Sequence, residues 1–305
     1  MNRKLGVLCA WVVLCVATAC TQADTFGTGD NQFTIDFVTI SGDASSANGT
    51  TISQYDSGQS GYRQFSDPGD FRIGVLEISN GQCAAFEAEM GIHFRDSYWS
   101  GNEVPVNLKK WFDAAQFVNW LNTSNGHHPA YNFEGQNFDI WDASVAAGGT
   151  NLFRHKDAHY FLPTEDEWVK AAYWNGTSLQ IYASKDGLQP IANADSRYGQ
   201  PNSAGPWNVG SGNEELNGTF DMMGNVWEWM ESPWDSGAYT VHSNRVIRGG
   251  SFNGNDNLIS LPYRNNFYPY TEFDIIGFRV ASVIPEPATL LLMGLGGLAL
   301  RYRKR

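Results

Sequence analysis

Cysteine is nearly absent from the body of this sequence. Of the four cysteines in 305 residues, Cys9, Cys15 and Cys20 lie within the first twenty positions, and Cys83 stands alone further on. Cys20 would be a second thiol only if N-terminal processing leaves it in the mature chain. One or two cysteines cannot form a disulfide framework or a cysteine-based metal site, so we expect neither.

Positive charge is also scarce. The chain has 20 Lys and Arg against 32 Asp and Glu, a net charge of −12. The part between the two ends is more acidic still, because six of the basic residues lie in the terminal segments (Arg3, Lys4, Arg301, Arg303, Lys304 and Arg305). Such a surface repels phosphate backbones and anionic lipid, which excludes a nucleic-acid partner. It suits cations, or simply solubility outside the cell.

Charged residues make up only 17% of the chain, whereas aromatic residues reach 14%, with 11 Trp, and Gly is abundant at 32 residues. This composition favours a loop-rich domain held by buried aromatic side chains over a helical bundle. Without its terminal segments the chain is long enough for one large domain or two small ones, and the absence of a convincing linker in the sequence favours one. We assign that domain to residues 24–283.

The first 23 residues have the pattern of a secretory signal peptide. Arg3 and Lys4 precede an apolar run from Leu5 to Ala17, which is too short to span a bilayer, and small residues follow. Cleavage after Ala19 and cleavage after Ala23 both fit. Cys20 also allows a lipoprotein-type modification.

Residues 284–305 form a tripartite tail. Pro285-Glu286-Pro287 is followed by an apolar run from Ala288 to Leu300 and a basic end. The prolines end the domain, and the basic residues favour the cytoplasmic side. The tail resembles the PEP-CTERM sorting signal of Gram-negative, exopolysaccharide-producing bacteria. The resemblance implies transient membrane insertion through the C-terminal helix, processing by an exosortase-type enzyme, and transfer to the cell surface or extracellular matrix.

Local patterns predict few regular elements in the body. Strands are predicted at Phe33–Ile40 and Phe71–Ile78 from their β-branched and aromatic content, and a long loop at 41–69 lies between them. Three helices are predicted, one capped by Ser79-Asn80, one over Trp111–Leu121, and one starting with a capping box at Thr164 and Glu167. Residues 123–160 are predicted to form an irregular surface loop.

Six motifs occur in an order that resembles the formylglycine-generating, or sulfatase-modifying factor, family. They are Leu76 to Gln82, Pro105-Val106-Asn107 with Trp111 to Ala115, Leu162 to Trp168, Asp221 to Trp229, Arg248 to Phe252, and Gly277 to Ala281. The resemblance implies an α+β fold, a loop-rich variant of the C-type lectin fold. Lys110 stands where the family has a helix-capping Ser, so the second helix should start more weakly.

The chain departs from the family at the active site. The family binds copper with two cysteines, three and eight residues after the Ser of the Gly-Gly-Ser motif. Counting from Ser251, these positions are Gly254 and Ile259, and no cysteine follows Cys83. Neither residue can form a thiolate or bind a soft metal. We therefore expect no formylglycine formation, no copper, and only vestigial positions at this site.

A related branch binds non-haem iron through a His-x-x-x-His-x-Glu motif. The chain has His155 and His159 at this spacing, but Phe161 replaces the Glu. A solvated histidine pair is the simpler interpretation, and no iron is expected.

The resemblance also implies calcium. The positions that match the family's site are Asp221, the Gly224 and Val226 carbonyls, and Glu228, a set of oxygen ligands that suits this ion. The alternative is that Glu228 only hydrogen-bonds within the fold. Asn193 and the Ala194 carbonyl match part of a second, weaker site.

These features favour an exported, non-catalytic protein whose domain serves as a binding or structural scaffold, with a matrix glycan or a co-exported protein as partner. The aromatic and Asn-rich stretch from Phe252 to Phe273 could either bind ligand or fill the core. The alternatives are an extracytoplasmic enzyme of unassigned chemistry in the same fold, and an accessory subunit of a co-exported partner.

Overall fold

The computed structural model describes residues 21–52 and 63–285. Most of the predicted signal peptide and nearly all of the predicted sorting tail therefore lie outside the described residues. Within the described ranges, no helix is both long and apolar enough to cross a membrane.

The main sheet has five antiparallel strands in the order β1-β2-β5-β15-β10. The strands of this sheet that come first and last in sequence lie at the two ends of the domain, so the sheet joins the N-terminal and C-terminal parts of the domain. The strands are β1 (Gln22–Phe26), β2 (Phe33–Ile40), β5 (Phe71–Gly74), β10 (Tyr160–Phe161) and β15 (Ala281–Ser282).

A second sheet of four strands has the order β13-β12-β11-β14, with only the β11–β14 pair parallel. Three two-stranded sheets complete the strands of the described residues. The second sheet contains β11 (Trp227–Pro233), β12 (Arg245–Arg248), β13 (Asn265–Phe267) and β14 (Ile276–Gly277); the two-stranded sheets pair β3 (Thr51–Ile52) with β4 (Arg63–Gln64), β6 (Asn132–Glu134) with β7 (Asn137–Asp139), and β8 (Ala146–Ala147) with β9 (Asn151–His155).

In the described part of the chain, three α-helices and two short 3-10 turns accompany the strands, in keeping with the predicted loop-rich α+β architecture. The α-helices are α1 (Asn80–Met90), α2 (Trp111–Ser124) and α3 (Glu165–Tyr173), and the 3-10 turns are Gly29–Asn31 and Ser45–Ala47.

The helix starts follow the sequence. Ser79 caps α1, as predicted, and also forms a capping box with Gln82, while the predicted capping box of Thr164 and Glu167 starts α3. At α2 the Lys110 side chain provides no cap, and the Asp113 carboxylate instead accepts a hydrogen bond from the Lys110 N–H at 2.9 Å.

Strand β2 matches its predicted bounds and has both faces covered. Ile35 and Phe37 belong to the first core cluster, which includes side chains of α1 and α2. Val38 and Ile40 belong to the second core cluster, which includes side chains of α3. Alternate residues of a strand point to opposite faces, so the main sheet lies between the two clusters.

Three sequence predictions needed correction. Residues 123–160 form hairpins rather than a surface loop, because Tyr131, Phe138 and Phe153 are buried in the first core cluster. The predicted loop at 41–69 contains β3 and β4, with Ile52 and Phe65 buried. The strand predicted over Phe71–Ile78 ends at Gly74. In the first two cases, burial of apolar side chains against segments distant in sequence accompanies the strands.

Candidate functional site

The three vestigial positions lie in one packed turn after β12. Ser251 is fully buried, and its Oγ donates to Asn253 Oδ1 at 2.7 Å. A Cβ at Gly254 would lie 3.0 Å from Leu258 Cδ1, closer than side chains normally approach. Ile259 is fully buried in the second core cluster, and the Tyr173 hydroxyl donates to its carbonyl at 3.1 Å. An apolar side chain thus fills the place of the family's second cysteine.

Cys83 does not compensate for the missing thiols. It is buried on α1, and its Sγ donates to Glu87 Oε1 at 3.5 Å. Burial raises the pKa of the Cys83 thiol to about 12, so it stays protonated at neutral pH. A protonated thiol is neither a nucleophile nor a soft-metal ligand.

The histidines at the iron-motif spacing are held in two separate ring stacks. His159 stacks on His127 with the ring centroids 4.2 Å apart, and His155 stacks on His128 at 3.6 Å. His155 Nδ1 also accepts a hydrogen bond from the Asp157 N–H at 3.2 Å. Across the described ranges no group of three or more His, Cys, Asp or Glu could hold a metal ion.

Glu228, a predicted calcium ligand on β11, faces Arg279. Its Oε1 lies 2.6 Å from Arg279 Nη2, and its Oε2 accepts from Arg279 Nε at 2.7 Å and from Trp168 Nε1 at 2.7 Å. Glu228 and Arg279 are fully buried. Arg279 further donates to three carbonyls, those of Gly74, Val75 and Phe220. The pair ties β11 to the segment before β15.

Asp221, Gly224 and Val226 lie in the loop that leads into β11. Asp221 has a left-handed backbone (φ 62°), and its Oδ2 accepts from the Gly210 N–H at 2.6 Å. The Val226 N–H donates to Glu77 Oε1 at 3.2 Å. Glu77 therefore sits beside the predicted ligand set, a role that the sequence did not suggest.

This region holds more buried acids than buried cations. Burial raises the pKa of Glu215 to about 8 and that of Asp221 to about 6, and burial together with Asp221 and Glu228 raises the pKa of Glu77. The positive charge of Arg279 opposes these increases, because it lowers the pKa of all three carboxyl groups. Four carboxyl groups around one guanidinium form an environment that an additional cation would stabilise.

Asn193 and Ala194, the residues predicted for a second calcium site, hydrogen-bond to residues outside the first predicted site. Asn193 is left-handed (φ 59°), and its Oδ1 accepts from Arg197 Nη1 at 2.8 Å, while the Ala194 N–H donates to the Ile191 carbonyl at 3.2 Å. The Asn193 oxygen thus contacts a guanidinium, as the Glu228 carboxylate does.

Sequence reasoning missed one feature of the surface. Tyr268 and Tyr270 are about half exposed and lie beside a groove between the start of α2 and the β6–β7 turn. The stretch from Phe252 to Phe273 is therefore mixed, since Phe252 is fully buried and the two tyrosines face solvent. The aromatic content was visible in the sequence, but the division between core and surface was not.

Comparison with known proteins agrees with this architecture. Residues 37–284 match the sulfatase-modifying factor enzyme 1-like domain, and residues 283–305 match the PEP-CTERM protein-sorting motif. The structure is similar to that of Treponema denticola variable protein 1, with a TM-score of 0.65 and 20% identity, covering 86% of this chain and 99% of the other.

Two kinds of curated relatives are also similar. Hercynine oxygenase of Mycobacterium tuberculosis is 26% identical over 244 residues, which cover 69% of this chain and 52% of that protein. Inactive C-alpha-formylglycine-generating enzyme 2 of Mus musculus is 30% identical over 140 residues, covering 41% and 44%. The chain thus spans about half the length of the curated relatives named here.

Proposed function

Because the chain belongs to the sulfatase-modifying factor enzyme 1-like family, we propose that it uses the family's fold as a non-catalytic binding or structural scaffold at the cell surface or in the extracellular matrix. One observation carries the proposal. The positions of the two copper-binding cysteines are Gly254 and Ile259, and Ile259 is packed into the core. Without thiolates the family's oxidation has no site for its metal.

Sorting sets where the scaffold acts. The PEP-CTERM motif at residues 283–305 implies export and processing by an exosortase-type enzyme. The further steps that we propose are transient insertion of the C-terminal helix into the inner membrane and then release to the surface or matrix. The basic residues at the end of the tail favour the cytoplasmic side of the membrane, which supports insertion with this end in the cytoplasm.

The relatives are compatible with a scaffold. One of them is named as an inactive formylglycine-generating enzyme. Others are hercynine oxygenases, but here Phe161 takes the place of the acidic iron ligand, and His155 and His159 lie in separate stacks.

The proposal is tested with the protein purified from its exporting host. A cysteine-containing sulfatase-type peptide, copper and oxygen are supplied, and mass spectrometry follows conversion of the thiol to the aldehyde. We expect no conversion, and we expect metal analysis to find neither copper nor iron at one ion per chain. Conversion, or either metal at that level, would overturn the scaffold in favour of an enzyme.

Location is tested separately. Matrix, membrane and cytoplasmic fractions are compared for the full chain and for a chain ending at residue 283. We expect the full chain in the surface or matrix fraction and the shortened chain to be lost from it. Equal distribution of the two would contradict sorting by the tail.

We also propose a structural calcium ion held by Asp221, the Gly224 and Val226 carbonyls, and Glu228. The excess of buried carboxyl groups around Arg279 supports it, because a divalent cation would offset their repulsion. Glu228 would share its carboxylate between Arg279 and the ion. Calcium should raise the melting temperature relative to EGTA, and Asp221→Asn should abolish the rise. Isothermal titration without calcium binding would refute the site.

A further inference from the structure

An open groove of about 420 Å³ separates the first turns of α2 from the β6–β7 turn. Its volume lies within the range of small-ligand sites. Its lining combines aromatic rings with short polar side chains. The members that matter here are Phe112, Asp113, Gln116, Gln136, Asn137 and Tyr270.

The exposed Tyr270 ring lines this groove, and the exposed Tyr268 ring lies next to it. Tyr270 and Tyr268 are 46% and 43% exposed, and their ring centroids are 5.2 Å apart. The Tyr270 ring packs edge-to-face against Phe112, with the ring centroids 4.6 Å apart. The Tyr268 hydroxyl lies 3.1 Å from His242 Nδ1. Both tyrosines are therefore positioned by neighbours while their surfaces stay open, and Tyr offers a large contact area at little entropic cost.

The polar groups of the groove keep free hydrogen-bonding capacity. Asp113 Oδ2 accepts from the Lys110 N–H, and the described residues place no donor on its Oδ1. Gln116 Nε2 donates to Gln136 Oε1 at 3.2 Å, which leaves the Gln116 carbonyl oxygen and the Gln136 amide protons available. The groove thus offers acceptors on Asp113 and Gln116 and donors on Gln136. Both kinds of group suit the hydroxyls of a sugar, each of which can donate and accept a hydrogen bond.

The charges at the groove rim are balanced. Lys110 Nζ lies 3.2 Å from Glu272 Oε1, and Arg95 Nη1 lies 2.7 Å from Glu272 Oε2. Two basic groups thus share the Glu272 carboxylate, and the Asp113 carboxylate in the groove brings the sum of these four charges to zero. An anionic chain would meet this carboxylate and the net negative charge of the protein. The environment consequently favours an uncharged ligand.

We propose that this groove, with Tyr268 and Tyr270, binds a neutral polysaccharide chain, whose pyranose C–H faces stack on the tyrosine rings while the Asp113 carboxylate and the Gln116 and Gln136 amides contact its hydroxyls. The negative face of an aromatic ring attracts polarised C–H bonds, which gives the stacking its direction. The inference rests on the proposed scaffold function and names its ligand class.

Affinity electrophoresis of the processed protein tests the groove. Gels contain neutral β-glucan, mannan or galactan, or the acidic polysaccharides alginate and hyaluronate. We expect retardation by at least one neutral polymer and by neither acidic one. The double variant Tyr268→Ala, Tyr270→Ala should lose about tenfold or more in affinity. Tyr98→Ala, which removes a 65% exposed ring outside the groove, should bind like the wild type.

Gln116→Ala provides a second variant with little effect on the core, and it should weaken binding without changing the melting temperature. Unchanged retardation of a folded double variant, retardation only by acidic polymers, or none by any polymer would overturn the glycan inference. Wild-type protein that is absent from the matrix fraction would instead overturn the proposed function. A matrix-bound protein that ignores all glycans would leave that function intact and point to a protein partner.

Discussion

Arg279 and Glu228 form an ion pair that is completely buried, with Nη2 and Oε1 2.6 Å apart. The two residues stand 51 positions apart in the chain and join strand β11 to the segment before β15. Removing one partner would break a hydrogen-bonded charge pair in a low-dielectric environment.

The first prediction concerns this pair. Glu228→Gln should lower the free energy of unfolding by about 3–5 kcal/mol, because the buried Arg279 would lose the one carboxylate that its guanidinium hydrogen-bonds among the described residues. Urea unfolding in EGTA, which removes any calcium contribution, measures the change. Glu214→Gln is the control, since its pair with Lys185 is solvent-exposed and should contribute less than about 1 kcal/mol. Equal midpoints for the two variants would contradict the prediction.

The second prediction concerns acid stability. Burial, with the neighbouring His127 and Arg72, lowers the pKa of His159 from 6.5 to about 4. A lowered folded-state pKa contributes stability above the unfolded pKa, and this stability is lost as the pH falls towards the folded value. Going from about pH 7.5 to about pH 5 should therefore cost about 2 kcal/mol through His159.

Urea unfolding of the wild type and of His159→Gln at both pH values measures this contribution. The variant should lose less stability on acidification, by about 2 kcal/mol. An identical slope for the wild type and His159→Gln would show that the stack with His127 does not disfavour protonation.

The third prediction concerns the vestigial site. The double variant Gly254→Cys, Ile259→Cys should not gain formylglycine-generating activity, because residue 254 faces Leu258 and residue 259 points into the core. It should also be less stable by about 1–3 kcal/mol through lost apolar contacts. The peptide assay and thermal unfolding measure both. Adding Leu258→Ala supplies room at residue 254, and turnover by either variant would contradict the prediction.

The fourth prediction concerns the mature N-terminus. Strand β1 pairs Gln22 with Phe37 and Ala23 with Asp36, so cleavage after Ala23 would remove two of its five residues. It would also place a new ammonium group at Asp24, whose carboxylate pairs with Arg72 at 2.6 Å. We expect the exported chain to start at Cys20.

Intact-mass measurement of the exported protein identifies that first residue. A mass increase on Cys20 would reveal lipidation, and an unmodified Cys20 would indicate ordinary signal cleavage. A chain starting at Asp24 would contradict the prediction.

Signals that depend on neighbouring residues were readable from the sequence. The capping box of Thr164 and Glu167 needs only the first turn of its helix, and β2 needs only its β-branched and aromatic composition. The ordered motifs likewise predicted the family and the sorting tail, and the loss of both thiols at residues 254 and 259 needed only counting from Ser251.

Only the tertiary structure decided which partner each buried polar group takes. Glu228 meets Arg279, and the Tyr131 hydroxyl donates to Glu231 across 100 positions at 3.0 Å. The sequence likewise established that residue 259 is not a cysteine, whereas packing alone determined that Ile259 fills the core and that Tyr270 borders an open groove. Caps and strand composition act over a few bonds, but burial and charge pairing depend on which distant segments share the same space.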